Sequence, residues 1–223
     1  MITSMHARIT SFVLNLLFPE KCVGCKKEGT FLCADCLVAL PGAESALLPA
    51  NITALFAYRN NVVKKAIKIL KYRGAKSVAK AFAAPLYEEL LAGFGDALPD
   101  KNARSTLLVP VPLSAKKLRE RGWNQAEWLA EETARLDENG AFEPRPDIVQ
   151  KIKHTPSQTS FRNKKARLKN IKDCFAVKKP EDVRGRRMVI IDDVCTTGAT
   201  VREVQKVLKA AGAKHVSILT VAH

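Results

Sequence analysis

Two adjacent carboxylates run into a hydroxyl- and glycine-rich turn at Asp192-Asp193-Val-Cys-Thr196-Thr197-Gly198-Ala199-Thr200. Carboxylates do not bind a phosphate directly. They accept hydrogen bonds from sugar hydroxyls and help hold a divalent ion on such a sugar. Threonine hydroxyls add donors, and glycine lets the backbone approach a ligand closely. Acidic groups for a ribose beside donors for its phosphate describe a ribose-5-phosphate site. A second constellation is Cys22-x-x-Cys25 with Cys33-x-x-Cys36. Two such pairs across a short loop place four thiolates on facing knuckles, the ligand set of a structural zinc. Four thiolates fill the tetrahedron and leave no position for a catalytic water. Disulfides are the competing reading, and nothing marks the chain as secreted.

The elements around the acidic turn fit that chemistry. Met188 to Ile191 is an apolar strand. Val201 to Ala211 has helical spacing, with Val204, Val207, Leu208 and Ala211 on one face and Gly212 as the stop. The turn therefore opens a helix, whose N-terminus presents free N–H groups and a positive dipole end to an anion. Cys195 lies in the same turn, either as a thiol made acidic by that helix end or as a small residue filling a permissive position.

Upstream, Ile52 to Tyr58 reads as a strand. Asn60 opens a helix through Tyr72 with Val63, Ala66, Ile67 and Leu70 as its apolar stripe, and a second helix runs from Lys76 to Leu91 with Pro85 inside it. Thr106 to Pro112 is a buried strand. The stretch after it, carrying Ser114, Lys116, Lys117, Arg119, Arg121 and Asn124, reads as a loop, and Trp123 to Leu136 as a helix. A short strand is expected within Pro144–Gln150, and strands at Arg187–Val194 and Val216–Val221. Strands alternating with helices give an α/β fold with a parallel sheet.

The chain has 223 residues and a net charge of +15. That length holds one α/β domain and a small appendage. Thirteen Lys/Arg face three Asp/Glu between Lys151 and Arg187. This run suits a polyanion, either pyrophosphate or nucleic acid, and equally suits a solvated segment. Residues 154–170 are polar and weakly periodic, as in a long functional loop. No stretch is long enough to span a membrane. Ile9, Phe12, Val13, Leu16 and Leu17 follow helical spacing, so the N-terminal apolar stretch reads as an amphipathic helix docking on the body, and the expected location is cytoplasmic. Lys71 and Arg73 suit phosphate or DNA, or simply complement a helix end. Trp123 and Trp128 suit base stacking or core packing.

The acidic turn resembles the phosphoribosyl pyrophosphate (PRPP) motif of type I phosphoribosyltransferases. In chain order, the four cysteines, Lys71-Tyr-Arg-Gly74, Val109-Pro-Val-Pro112, Arg121-Gly-Trp-Asn-Gln125, Thr155-Pro-Ser-Gln158, Arg167-x-x-Asn170 and the acidic turn together resemble the ComF family, associated with natural competence in bacteria. Lys151 stands where that family usually has Arg, replacing a bidentate fork with a point charge. The resemblance implies a type I phosphoribosyltransferase fold over residues 41–223, behind an amphipathic helix and zinc module over residues 1–40. It implies that Asp192 and Asp193 engage the ribose, and that Thr196, Thr197, Gly198, Ala199 and Thr200 cradle the 5′-phosphate. Pro112, Leu113 and Ser114, with Arg119 and Arg121, would take the pyrophosphate. Residues 154–170, with Thr155, Gln158, Arg167 and Asn170, would form the flexible loop. Mg²⁺ would accompany PRPP. Single-stranded DNA and a competence helicase are the macromolecular partners it suggests. The competing reading is a non-catalytic protein that senses PRPP and holds the DNA or helicase. The acceptor's identity and the catalytic residues are not legible, and residues 41–58, with the zinc module, are the candidates for the hood that would grip an acceptor.

Overall fold

The computed structural model describes residues 19–44, 48, 51–94, 105–153 and 171–223. The helix expected over Ile9–Phe18 and the loop expected over 154–170 lie outside the described residues.

The short helix α1 (Ala34–Val38) follows the cysteine knuckles. Then come β1 (Ile52–Phe56), α2 (Asn61–Tyr72), α3 (Lys76–Phe94), β2 (Thr106–Pro110), α4 (Ala115–Arg121) and α5 (Gln125–Ala134). The chain continues through β3 (Phe142–Pro144), β4 (Val149–Lys151), β5 (Phe175–Val177), α6 (Pro180–Val183), β6 (Arg187–Val194), α7 (Ala199–Ala210) and β7 (His215–Ala222). The order β1-β7-β6-β2-β3 makes one sheet, parallel at every pairing, while β4 and β5 pair antiparallel beside it.

Both faces of this sheet are covered, so its strands read as unbroken apolar runs, and β2 is buried at every position. Side chains alternate between two cores. Leu108, Val189, Ile191 and Leu219 meet α2, α3 and α5, whereas Leu107, Val109, Met188, Ile190 and Ile218 meet α7 and the β4–β5 ribbon. Helix α2 starts as its sequence directs: Asn60 accepts from the Val62 and Val63 amides at 2.8 and 3.2 Å. Its four expected stripe residues are its buried ones.

Two readings change. The stretch after β2 is not a loop. Ser114 caps it by accepting from the Lys117 amide at 3.4 Å, and Gly122 ends it at φ +85°, so Ala115–Arg121 forms α4. Periodicity missed it because the helix has no buried residue and hence no apolar stripe. Strand β5, at three residues, is likewise too short to carry a pattern.

Candidate functional site

All five main strands point the same way, so their C-terminal ends share one edge of the sheet. Asp192 and Asp193 end β6 there, both buried. The Asp193 amide donates to Asp192 Oδ1 at 2.8 Å. Burial first, and the adjacent Asp193 charge second, push the Asp192 carboxyl well above its ordinary range. Lys71 Nζ, arriving from the end of α2, stands 2.7 Å from Asp193 Oδ2. Burial works against its ammonium, but Asp193 outweighs burial and the Lys71 pKa is raised.

The expected phosphate turn lies alongside. Gly198 is the N-cap of α7 at φ +73°, where a side chain is strained, and a Cβ there would also meet Ile52 Cδ1 at 3.2 Å. The Ala199 amide donates to Thr197 Oγ1 at 3.5 Å. Asp192, Thr196, Gly198, Ala199 and Thr200 line one shallow depression over the start of this twelve-residue helix. Cys195 is not an acidic thiol: burial, then the charge of Asp192, pushes it up to about 11. The small-residue reading of that position is the fitting one.

On the other side of Asp192 and Asp193, the Val111 amide donates to the Ile191 carbonyl at 3.0 Å, fixing the start of the Pro112–Ser114 turn against β6. Asn124 holds the same turn, donating to the Val111 carbonyl at 3.1 Å while accepting from the Ala126 amide. Arg121 donates to Gln125 and stacks 5.4 Å from the Tyr72 ring. Arg119 is exposed and forms no ion pair among the described residues. Thr155, Gln158, Arg167 and Asn170 lie outside the described residues.

The fold adds cations that the motifs did not specify. Burial, then Arg121 and Lys71, lowers the Lys117 pKa; burial, then Lys117, lowers that of Lys151. Lysines that depress one another around two buried carboxylates form a cationic rim suited to a polyanion. The sequence named Lys71 and Lys151 in separate motifs but not their convergence with Lys117, because α2, α4 and β4 meet solely in three dimensions. Trp123 serves packing: it stacks on Trp128 with centroids 5.5 Å apart and donates to the Leu70 carbonyl at 3.0 Å. Its ring lies about 3.0 Å from where a Gly74 Cβ would stand.

The four cysteine sulfurs lie within 4.8 Å of one another, with Cys22–Cys33 and Cys25–Cys33 both at 3.6 Å. A disulfide needs about 2.05 Å. A tetrahedral ion with metal–sulfur bonds of about 2.3 Å places its sulfurs about 3.8 Å apart, which fits. A Cβ on Gly24 would stand 2.6 Å from Cys36 Sγ, so the knuckle requires glycine. Burial opposes ionisation of Cys22, but amide donors from Cys33, Cys25 and Gly24 hold it at about 6. The neighbouring Cys33, Cys22 and Cys25 sulfurs push Cys36 up to about 12. Four such thiols ionise together only around a cation. The module is not detached: Leu32 belongs to the main core, Arg73 lies 5.8 Å over the Phe31 ring, and Ser77 donates to Glu20 at 2.9 Å.

A parallel α/β sheet carrying a carboxylate pair and a helix-capping turn at its strand ends defines a phosphoribosyltransferase-like protein, and residues 134–223 match the phosphoribosyl transferase domain family. The chain belongs to the ComFC family of competence proteins. It is 31% identical over 181 residues to Competence protein ComFC of Bacillus subtilis (strain 168), covering 81% of this chain and 67% of that protein. Competence protein ComFC of Streptococcus pneumoniae is 31% identical over 198 residues, covering 88% and 78%. DNA utilization protein YhgH of Escherichia coli (strain K12) is 32% identical over 152 residues, covering 67% and 62%. Among the described residues no helix is long and apolar enough to cross a membrane.

Proposed function

We propose that this chain binds PRPP with Mg²⁺ and transfers the phosphoribosyl group to an acceptor in DNA uptake or nucleotide metabolism. The observation that carries the reading is the buried Asp192–Asp193 pair, flanked by the α7 N-terminal turn on one side and by Lys71, Lys117, Arg121 and Lys151 on the other. Asp192 and Asp193 accept the ribose hydroxyls. Thr196, Thr197, Gly198, Ala199 and Thr200 receive the 5′-phosphate through amides and hydroxyls. Pro112, Leu113 and Ser114 present the turn for pyrophosphate, whose departing charge Arg121 and Lys117 stabilise. Asp192 and Asp193 would hold a Mg²⁺ jointly with PRPP, and the ion would supply neutralising charge for the leaving pyrophosphate. The four cysteines hold a structural zinc in a module over residues 1–40, appended to a transferase domain over residues 41–223.

A calorimetric titration of the zinc-loaded protein with PRPP and Mg²⁺ tests this. Saturable one-site binding is expected, and its absence would remove the reading.

One observation favours a second activity. Tyr72 is 70% exposed, with Arg121 stacked on it and Arg73 beside it, on a chain of net charge +15. An aromatic face between cations suits single-stranded DNA, and the names of the relatives place them in competence and DNA utilization. A steep fall of DNA affinity with salt is expected, and binding indifferent to salt would sink this second reading.

A further inference from the structure

We infer that the phosphoribosyl acceptor binds in the cavity bounded by Tyr58, Lys64 and His223, and that it is a planar nitrogen heterocycle bearing a carboxylate or a similarly acidic group. This rests on the phosphoribosyl reading above and supplies its missing half.

Strand order sets the direction. The pyrophosphate turn follows β2 and the ribose carboxylates end β6, and β7 and then β1 come next along the sheet. Displacement at C1′ breaks its bond to the pyrophosphate oxygen, which leaves with the electron pair. A bond from the acceptor nitrogen forms on the opposite side, so the reacting groups must be held in line. The acceptor therefore approaches from the β7–β1 side. A cavity of about 480 Å³ opens there, lined by Glu44, Ala57, Tyr58, Arg59, Lys64 and His223. Small-molecule sites run from about 300 to 1,000 Å³, enough for one heterocycle. Another cavity, of about 410 Å³, lies at the opposite strand ends near Arg187 and His215, out of reach of C1′.

The lining selects the ligand. The half-buried Tyr58 ring offers a flat face for an aromatic guest. Arg59 is matched by Glu44, whereas Lys64 has no carboxylate partner among the described residues, leaving its ammonium for an acidic substituent. His223 is fixed from three sides. Its amide donates to the Phe56 carbonyl at 3.1 Å, its carbonyl accepts from the Tyr58 amide at 2.7 Å, and its Nδ1 lies 2.6 Å from the Cys195 carbonyl. A carbonyl only accepts, so Nδ1 carries the hydrogen, and in the neutral imidazole the lone pair is on Nε2. Nε2 takes the proton of the attacking ring N–H as the C1′–N bond forms. The same bond ties this cavity to the phosphate turn through Cys195.

The test titrates the full zinc-loaded chain, saturated with Mg²⁺ and PRPP, with orotate as a carboxylated probe and adenine as an uncharged one. The carboxylated probe is expected to bind at least tenfold more tightly than adenine. Lys64→Met should erase that preference and Tyr58→Ala should weaken both probes, while PRPP affinity in both variants stays within twofold. Equal binding of charged and uncharged probes, an unchanged preference in Lys64→Met, or no probe binding to protein that does take up PRPP would each overturn the assignment. Failure of PRPP itself to bind would remove the parent reading instead, and the same titration records it.

Discussion

The four-cysteine module and the strand-end site are both clusters of groups that repel one another when ionised, yet they are assembled in opposite ways. Every ligand of the module lies between Cys22 and Cys36, on two knuckles closed by local bonds such as Lys26 N–H to the Cys22 carbonyl at 2.9 Å. Its repulsion would be relieved by an ion from outside. The strand-end site draws Lys71 from α2, Lys117 and Arg121 from α4, Lys151 from β4 and its carboxylates from β6. Its repulsion is partly resolved from within, by Lys71 on Asp193. A local site can be lost by removing one ligand. A distributed site is held by the whole sheet and survives single losses in shape, though not in affinity.

The largest expected effect follows from Cys33→Ser. Metal binding in such modules is worth about 10 kcal/mol or more, and it is folding free energy. The variant should lose its equivalent of zinc by metal analysis. Because Leu32 belongs to the main core, the melting temperature of the whole chain should fall as well. PRPP affinity should stay within threefold if the two regions are chemically separate. Full retention of one zinc per chain would contradict the four-thiolate site.

Next comes Asp193→Asn, expected to weaken PRPP binding at least 100-fold, about 3 kcal/mol, by calorimetry. It also leaves the Lys71 ammonium buried without its partner, so thermal stability should drop. Lys71→Met added to Asp193→Asn should restore stability but not binding, which separates the ion pair's structural part from its ligand part. Near-native PRPP affinity in the single variant would break the site assignment.

Gly74→Ala probes the junction of the two regions. The residue sits at φ +63° against the Trp123 ring, beside the turn that meets Phe31. A cost of about 1–2 kcal/mol is expected, with a changed Trp emission and a smaller loss of PRPP affinity than in Asp193→Asn. An unchanged melting temperature would show that this turn yields freely.

The smallest effect is an acid control outside both regions. Arg145, then Lys179, holds the Asp147 carboxyl well below the usual range. A folded pKa below the unfolded one gives stability that is present above the unfolded value, about pH 4, and lost as pH falls below it. Asp147 is 39% exposed, so screening keeps the contribution under about 1 kcal/mol. Asp147→Asn should flatten the acid limb of the stability profile slightly and leave PRPP affinity alone. An identical acid limb in the variant would show that the clamp contributes nothing.

Much of this was legible in the residues because the signals are local. The C-x-x-C spacing gives the knuckles, and Asn60 with its apolar stripe gives α2. Apolar runs ending in Asp-Asp and Thr-Thr-Gly give β6 and the start of α7. Helix α4 was not legible, since a helix with no buried apolar face carries no period and only its caps betray it. Nor was the environment of Cys195. Its place near a helix end suggested an acidic thiol, but burial beside Asp192 does the reverse.

The sequence alone determined which groups are available: four thiolates at metal spacing, two carboxylates at a strand end, a glycine-rich turn and an excess of cations. The tertiary structure alone decided which of those cations count. Lys71, Lys117 and Lys151 are far apart in the chain and alike in type, and although motifs point to Lys71 and Lys151, nothing in the sequence shows that the three meet. Parallel strands bring all their C-terminal ends to one edge, and interactions between exposed charges are screened beyond about 8 Å at physiological salt. Proximity in the folded sheet therefore selects three lysines for the carboxylate pair, and leaves Tyr58, Lys64 and His223 together on its far side.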